Sequence, residues 1–198
     1  LIPQGRRRQD RDMRWLAIVL AVGLALGEAN AWAQDAKSRE AELGSLLQAL
    51  KTAPDASVAN LIEQRVRLLW AQGGSPAAVL LEARGARDLV DNADKDALTA
   101  LDAALVIDPD FAAAYADRAL ARFRNGDVGG AVADIETALQ HEPTMFAVFD
   151  TLSRIAEARG DWQAALMAWQ HVADADPMGQ GVAQRLQALQ RKAVGEKS

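Results

Sequence analysis

A chain of 198 residues that is half hydrophobic, 5% aromatic and free of cysteine has room for one or two ordinary domains, and it excludes disulfides, thiolate zinc sites, a cysteine nucleophile and a cysteine-linked lipid anchor. Its formal net charge of −5 argues against the basic face that non-specific nucleic-acid binding requires. Alanine and leucine dominate, and Val and Ile show no sustained alternation, a mix that favours helices packed over alanine faces rather than sheets.

At the N-terminus, Arg14 precedes a 13-residue apolar run from Trp15 to Gly27, and Ala31-Trp32-Ala33 stands shortly after it. Basic start, apolar middle and small-x-small end form the layout of a secretory signal peptide, with cleavage expected after Ala33. The run is shorter than the roughly 20 residues of a membrane-spanning helix. Met13 stands where a start is expected, which makes Leu1 to Asp12, with Arg6-Arg7-Arg8, an upstream extension. Membrane anchoring through an uncleaved segment is the alternative. A twin-arginine signal fits less well, because no apolar residue comes directly after the arginines. Without residues 1–33 the chain keeps 17 basic against 24 acidic residues, a net −7. The expected product is an acidic, exported, periplasmic protein without stable membrane insertion.

Residues 34–76 read as an N-terminal helical region. Leu43, Leu46, Leu47 and Leu50 make one apolar helical face, and Pro54 ends it. Asp55 or Ser57 can cap a second helix carrying Val58, Leu61, Ile62, Val66, Leu69 and Trp70, which Gly73-Gly74 stops. Ser75-Pro76 opens a third, with Ser75 as the expected cap and Pro76 in the first turn. That helix carries Val79, Leu80, Leu81, Leu89 and Val90.

From Asn92 a 34-residue step takes over. Asp108-Pro109, Glu142-Pro143 and Asp176-Pro177 fall on it, as do Gly126-Asp127 with Gly160-Asp161 and Ala97 with Ala131 and Ala165. A period of this size means stacked helical hairpins, since one hairpin cannot bury its apolar face alone. The spacing predicts helices over Lys95–Ile107, Phe111–Arg124, Val128–His141, Thr144–Arg159, Trp162–Ala175 and Gly179–Lys192. The prolines stop each second helix, Gly126 and Gly160 serve the tight turns, and Asp127 and Asp161 cap the helices that start after those turns.

These residues resemble the tetratricopeptide-repeat family, over about residues 78–177. One repeat gives Leu81, Arg84-Gly85, Ala97, Leu101 and Pro109. The next gives Tyr115, Arg118-Ala119, Ala131, Ile135 and Pro143. The third gives Phe149, Leu152-Ser153, Ala165, Trp169 and Pro177. Asn92-Ala93 departs from the Gly-Asp pair, and Asp88 and Arg122 stand where an aromatic is usual. Residues 57–75 fit more loosely, without the expected Ala and Pro. The resemblance implies an all-α, right-handed superhelical stack of antiparallel helix pairs. It also implies three repeats over 77–177 and an end helix with a tail over 178–198.

The same resemblance implies a groove, lined by the first helix of each repeat, that holds a peptide or partner helix. Carried over, its residues here are Glu82, Leu89, Leu120, Phe123, Asp150, Arg154 and Glu157. Leu120 and Phe123 would form an apolar centre, and Asp150, Arg154 and Glu157 a charged lip. Acidic Glu82, Asp117 and Asp150 would repel a carboxylate-ended peptide. The expected function is thus a non-enzymatic scaffold or escort for another protein in the cell envelope. The alternative is a structural protein that self-associates into a homo-oligomer through its end helices, Leu43–Leu50 and Leu186–Leu189.

Catalytic constellations and cofactor motifs are not apparent. His141 and His171 lie near helix ends, where a protonated His is favoured, and form no metal-ligand pair. Asp91-Asn-Ala-Asp-Lys-Asp96 has Ala93 and Asp96 where a calcium loop needs a ligand and a glycine. Gly73-Gly74-Ser75 lacks the lysine of a phosphate loop, and no serine sits in Gly-x-Ser-x-Gly. No metal or cofactor is expected.

Overall fold

The computed structural model describes residues 34–195; the expected signal segment and the last three residues lie outside the described residues. The chain divides into two units, Leu1–Gly44 and Ser45–Ser198. Residues 34–51 are helical, which takes in all that is described of the first unit and the opening of the second; this helix is α1. The second unit continues with α2 (Ala56–Ala71), α3 (Pro76–Val90), α4 (Asp94–Ile107), α5 (Ala112–Arg124), α6 (Val128–His141), α7 (Val148–Ala158), α8 (Trp162–Ala175) and α9 (Val182–Gly195). Among the described residues there are no strands.

The 34-residue step is written into the backbone. Asp108, Glu142 and Asp176 end α4, α6 and α8 with nearly one geometry, φ of −136, −137 and −137°. Each precedes a proline, whose ring excludes the helical conformation from the residue before it. Gly126 and Gly160 take left-handed φ of 85° and 74°, and Asn92, on the same step, takes 57°. Asparagine tolerates that region better than most side chains, so the hairpin turn survives without its glycine. The cap does not survive. Asp127 and Asp161 each accept a backbone N–H, from Gly130 and Ala164, at 2.9 Å, whereas Ala93 has no side chain to offer.

Three helix ends differ from expectation. Ser75 makes no side-chain cap; instead its N–H donates to Asp108 Oδ2 at 2.6 Å, tying the start of one repeat to the turn of the next. The helix expected from Thr144 starts at Val148. Thr144 is held in a turn by Glu142 Oε1, with its N–H donating at 3.1 Å, and Met145 and Phe146 turn inward to 2% and 7% exposure. The last helix starts at Val182 rather than Gly179, after Gly181 takes a φ of 77°.

Helices α3 with α4, α5 with α6 and α7 with α8 pack as antiparallel hairpins, and α9 closes the stack against α8. Three columns at 34-residue spacing fill the space between them, all buried: Gly85, Ala119 and Ser153; Ala97, Ala131 and Ala165; Leu101, Ile135 and Trp169. Small residues let two helices approach, and the large column fills what is left. The approach is closest at Gly85, where a Cβ would lie 2.6 Å from Leu101 Cγ. Ser153 buries its hydroxyl by donating to the Ala165 carbonyl at 3.0 Å.

First helices touch their counterparts, α3 to α5 and α5 to α7, while α4, α6 and α8 make no direct contact with one another. The layer whose members lie closer is the inner layer of a curved stack. A buried carboxylate ties the layers together: Asp134 on α6, 3% exposed, takes Arg118 at 2.7 Å and Arg122 at 2.9 Å from α5. Arg118 also reaches Asp102 on α4 at 2.7 Å, and these carboxylates raise its affinity for its proton despite burial.

Helix α2 stands apart. Asp55 caps it, accepting from the N–H groups of Ser57 and Val58 at 2.9 and 3.0 Å. It touches α3 and α5 sparsely and crosses the inner layer.

Candidate functional site

The inner faces of α3, α5 and α7 carry the residues that the sequence points to, but not on equal terms. Glu82 is 6% exposed and Leu89 is 5% exposed, so both sit beneath the surface. Leu120 and Phe123 on α5 are half-buried, as are Asp150 and Glu157 on α7, and Arg154 is exposed. Arg124, one place beyond Phe123, donates to the Leu89 carbonyl at 2.8 Å and pairs with Asp94, holding α5 to the end of α3.

The charged lip is already paired. Arg154 Nε donates to Asp150 Oδ2 at 2.9 Å, and Arg185 on α9 reaches Glu157 at 2.6 Å and Asp150 at 3.7 Å. The Arg185 guanidinium also lies over the Trp169 ring, 4.4 Å from its centre. These partly exposed pairs contribute little stability each. Their main effect is positional: α7 and α9 present a network of alternating charge.

Two carboxyls at the floor share a proton. Burial raises the Glu82 pKa to about 8, with the negative charge of Asp117 and a hydrogen bond to it adding to the rise. Burial likewise raises Asp117 to about 6, against the hydrogen bond from Glu82 and the positive charge of Arg67. At neutral pH the arrangement is a protonated Glu82 donating to an ionised Asp117, since two like charges this close do not both ionise readily.

Arg67 comes from α2, and the same helix reaches the other repeats. Its buried stripe is Ala59, Val66, Leu69 and Trp70. Trp70 meets Phe146 edge-on, with ring centroids 5.4 Å apart. Glu63 and Arg67 both act on Asp176, whose pKa is raised by burial first and by Glu63 second. Just past α2, Gly74 leaves no room for a Cβ, which would stand 2.7 Å from the Phe111 ring. One helix thus passes the turns that open α5, α7 and α9 in succession. Burying Val66, Leu69 and Trp70 favours this seat by roughly 1.5–3 kcal/mol per side chain. Trp70 Nε1, however, is buried without an acceptor, a loss of about 1–3 kcal/mol.

Between α2 and the far end of the stack lies a space of about 440 Å³, bordered by Arg67, Asp150, Arg154, Trp169, Asp176 and Arg185. A second space of about 380 Å³ lies between α6, α7 and α8 and is mostly apolar, with Phe149, Leu152, Met167 and His171 at its edge.

Arg67 and Trp70 are the contributors that periodicity misses. Both belong to the segment that fits the repeat loosely, and the stripe Ala59, Ile62, Val66, Trp70 is a helical signal without any statement of what it packs on. Asp117, read from sequence as a repelling charge, is the proton partner of Glu82. His141 stacks on Tyr115 and His171 on Phe149, with centroids 6.1 and 4.3 Å apart. Among the described residues no group of three His, Cys, Asp or Glu could hold a metal ion. No described helix is long and apolar enough to cross a membrane.

No protein-family model matches the chain. It is similar to a TPR repeat-containing protein of Rhizobium etli, with 28% identity over 161 residues that cover 81% of this chain and 79% of the relative. Among solved structures it is similar to the first TPR domain of Spaghetti (RPAP3) bound to the HSP90 peptide SRMEEVD, at a TM-score of 0.53 and 17% identity, covering 59% of this chain and 93% of that one. It is also similar to the Sgt2 TPR domain of Aspergillus fumigatus, at a TM-score of 0.56 and 21% identity, covering 63% of this chain and 83% of that one. Repeat period, turn geometry, buried columns and these likenesses agree, and the chain has the fold of tetratricopeptide-repeat domains and resembles a TPR repeat-containing protein.

Proposed function

We infer that the protein is a non-enzymatic interaction module that holds a peptide or helix of another protein on the inner face of α3, α5 and α7. The observation that supports it is the half-buried pair Leu120 and Phe123 on α5, next to the ionic lip of Asp150, Arg154, Glu157 and Arg185. An apolar centre with a polar rim is the anatomy of a peptide-docking surface. The Spaghetti domain takes a peptide, SRMEEVD, that ends in an aspartate. Here Asp117 and Asp150 disfavour a ligand of that kind, and the reading is of a partner without a carboxylate tail. The layout of residues 1–33 supports work outside the cytoplasm, as a scaffold or escort in the cell envelope.

Self-association through the end helices has less support, since Leu50 and Leu189 are 0% and 2% exposed within the chain. The test is the pair Leu120→Ser and Phe123→Ser, with fold checked by circular dichroism. A partner captured by the unaltered protein is expected to be lost. Undiminished capture by the folded variant removes the reading.

A further inference from the structure

We propose that α2 is an internal ligand: it occupies part of the binding face, and the partner is an amphipathic helix with an arginine and, three residues on, an aromatic side chain, which enters by displacing α2. The inference rests on the reading of the inner face as a docking surface, and names its occupant.

Three observations carry it. First, α2 reaches separate parts of the stack, through Arg67 beside Asp117, Trp70 on Phe146, and Glu63 with Arg67 beside Asp176. This is how a helix lies in a groove, read at i, i+4 and i+7 positions. Secondly, the charges match at Asp117, where α2 brings Arg67, itself paired with Glu63 at 2.7 Å, whereas at Asp176 the like charge of Glu63 opposes it. Thirdly, the seat is imperfect. Trp70 Nε1 finds no acceptor, the contacts of α2 with α3 and α5 are sparse beside those within the hairpins, and the Arg67 side chain is 58% exposed.

The short connector between α2 and α3 sets the energetics. A helix tethered this closely is present at an effective concentration on the order of millimolar. A partner of the same intrinsic affinity must compete with it, and its apparent affinity falls accordingly. Weakening the tethered helix without touching the floor should therefore strengthen binding from outside.

The experiment uses the full chain and a fluorescent synthetic peptide of residues 55–72, read by fluorescence anisotropy. Arg67 and Trp70 belong to α2, so R67A/W70A leaves the floor intact. The double variant is expected to bind the peptide at least about tenfold more tightly than the unaltered chain. A peptide that itself carries R67E and W70A is expected to lose that gain. If R67A/W70A does not fold by circular dichroism, R67E alone, at an exposed position, serves as the opened form. Equal affinity for opened and unaltered chains overturns the proposal. Equal binding of the altered peptide does the same. A concentration-dependent dimer that the peptide dissociates also overturns it, because the seat would then belong to a second copy. None of these readouts depends on capture of a natural partner, so loss of partner capture in L120S/F123S can stand while the proposal falls.

Discussion

Helices α2 and α4 are of similar length and both carry an alanine-containing buried stripe, yet they belong to the fold in different ways. Helix α4 is enclosed: Ala97, Leu101 and Ala104 are each 0% exposed, α3 and α5 flank it, and Asp102 joins it to Arg118. Helix α2 lies on one face of the inner layer, makes few contacts with α3 and α5, and keeps Leu61 and Leu68 at 68% and 46% exposure. Contacts within the stack come from local hairpins repeated at fixed spacing, which makes the stack cooperative. The contacts of α2 are scattered along the chain, from Phe111 to Asp176. A helix held in that way can leave while the stack stays.

Substitutions in the stack should break the protein as a whole. Asp134→Ala strands the Arg118 and Arg122 guanidiniums against the buried face of α6. A loss of about 3 kcal/mol is expected in global stability by urea denaturation. Gly85→Ala drives a Cβ into Leu101, whose side chain has little room to give; about 1–3 kcal/mol should be lost in the same measurement. In contrast, Trp70→Ala should lower the global midpoint by much less than the roughly 3–5 kcal/mol of an enclosed tryptophan, because α2 detaches without the stack.

The floor of the groove connects the two regions and brings a pH dependence. The folded pKa of Glu82, about 8, lies above its ordinary value of 4.5. The unfolded chain therefore binds fewer protons between those values, and stability falls as pH rises through the window. The contribution is intact below about pH 4.5 and exhausted above about pH 8. Glu82→Gln cannot ionise and should flatten that slope in thermal melts between pH 5 and 9. Its gain, largest at the alkaline end, should be on the order of 1–2 kcal/mol. The smallest effect is at the first hairpin turn. Ala93→Asp restores the cap that Asp127 and Asp161 supply in the other turns, and should add about 0.5–1 kcal/mol in the same melts.

The stack was legible because a repeat states its contacts several times. The prolines at 109, 143 and 177 mark where helices stop, and the Gly85, Ala97 and Leu101 columns mark what is buried. Where one copy changed, the others still supplied the reading: Asn92 takes the left-handed turn that Gly126 and Gly160 announce. The site was legible only in part. Glu82 and Leu89 lie on the expected helix, but their depth depends on neighbours that period alone does not name. The course of α2 was not legible. A stripe such as Ala59, Val66, Leu69 and Trp70 says that one face is buried without saying against what, and nothing in the sequence joins Trp70 to Phe146, 76 residues on. The late start of α7 has the same origin, since Phe146 turns inward to meet that tryptophan.

Native-state hydrogen exchange, resolved by helix in the full chain, tests the central claim most directly. The amides of α2 are expected to exchange through a separate opening, at least about tenfold faster than those of α4, α5 and α6, which open together. Protection of α2 equal to that of α4, lost in the same cooperative step, would make it a fixed part of the stack and contradict its role as a displaceable helix.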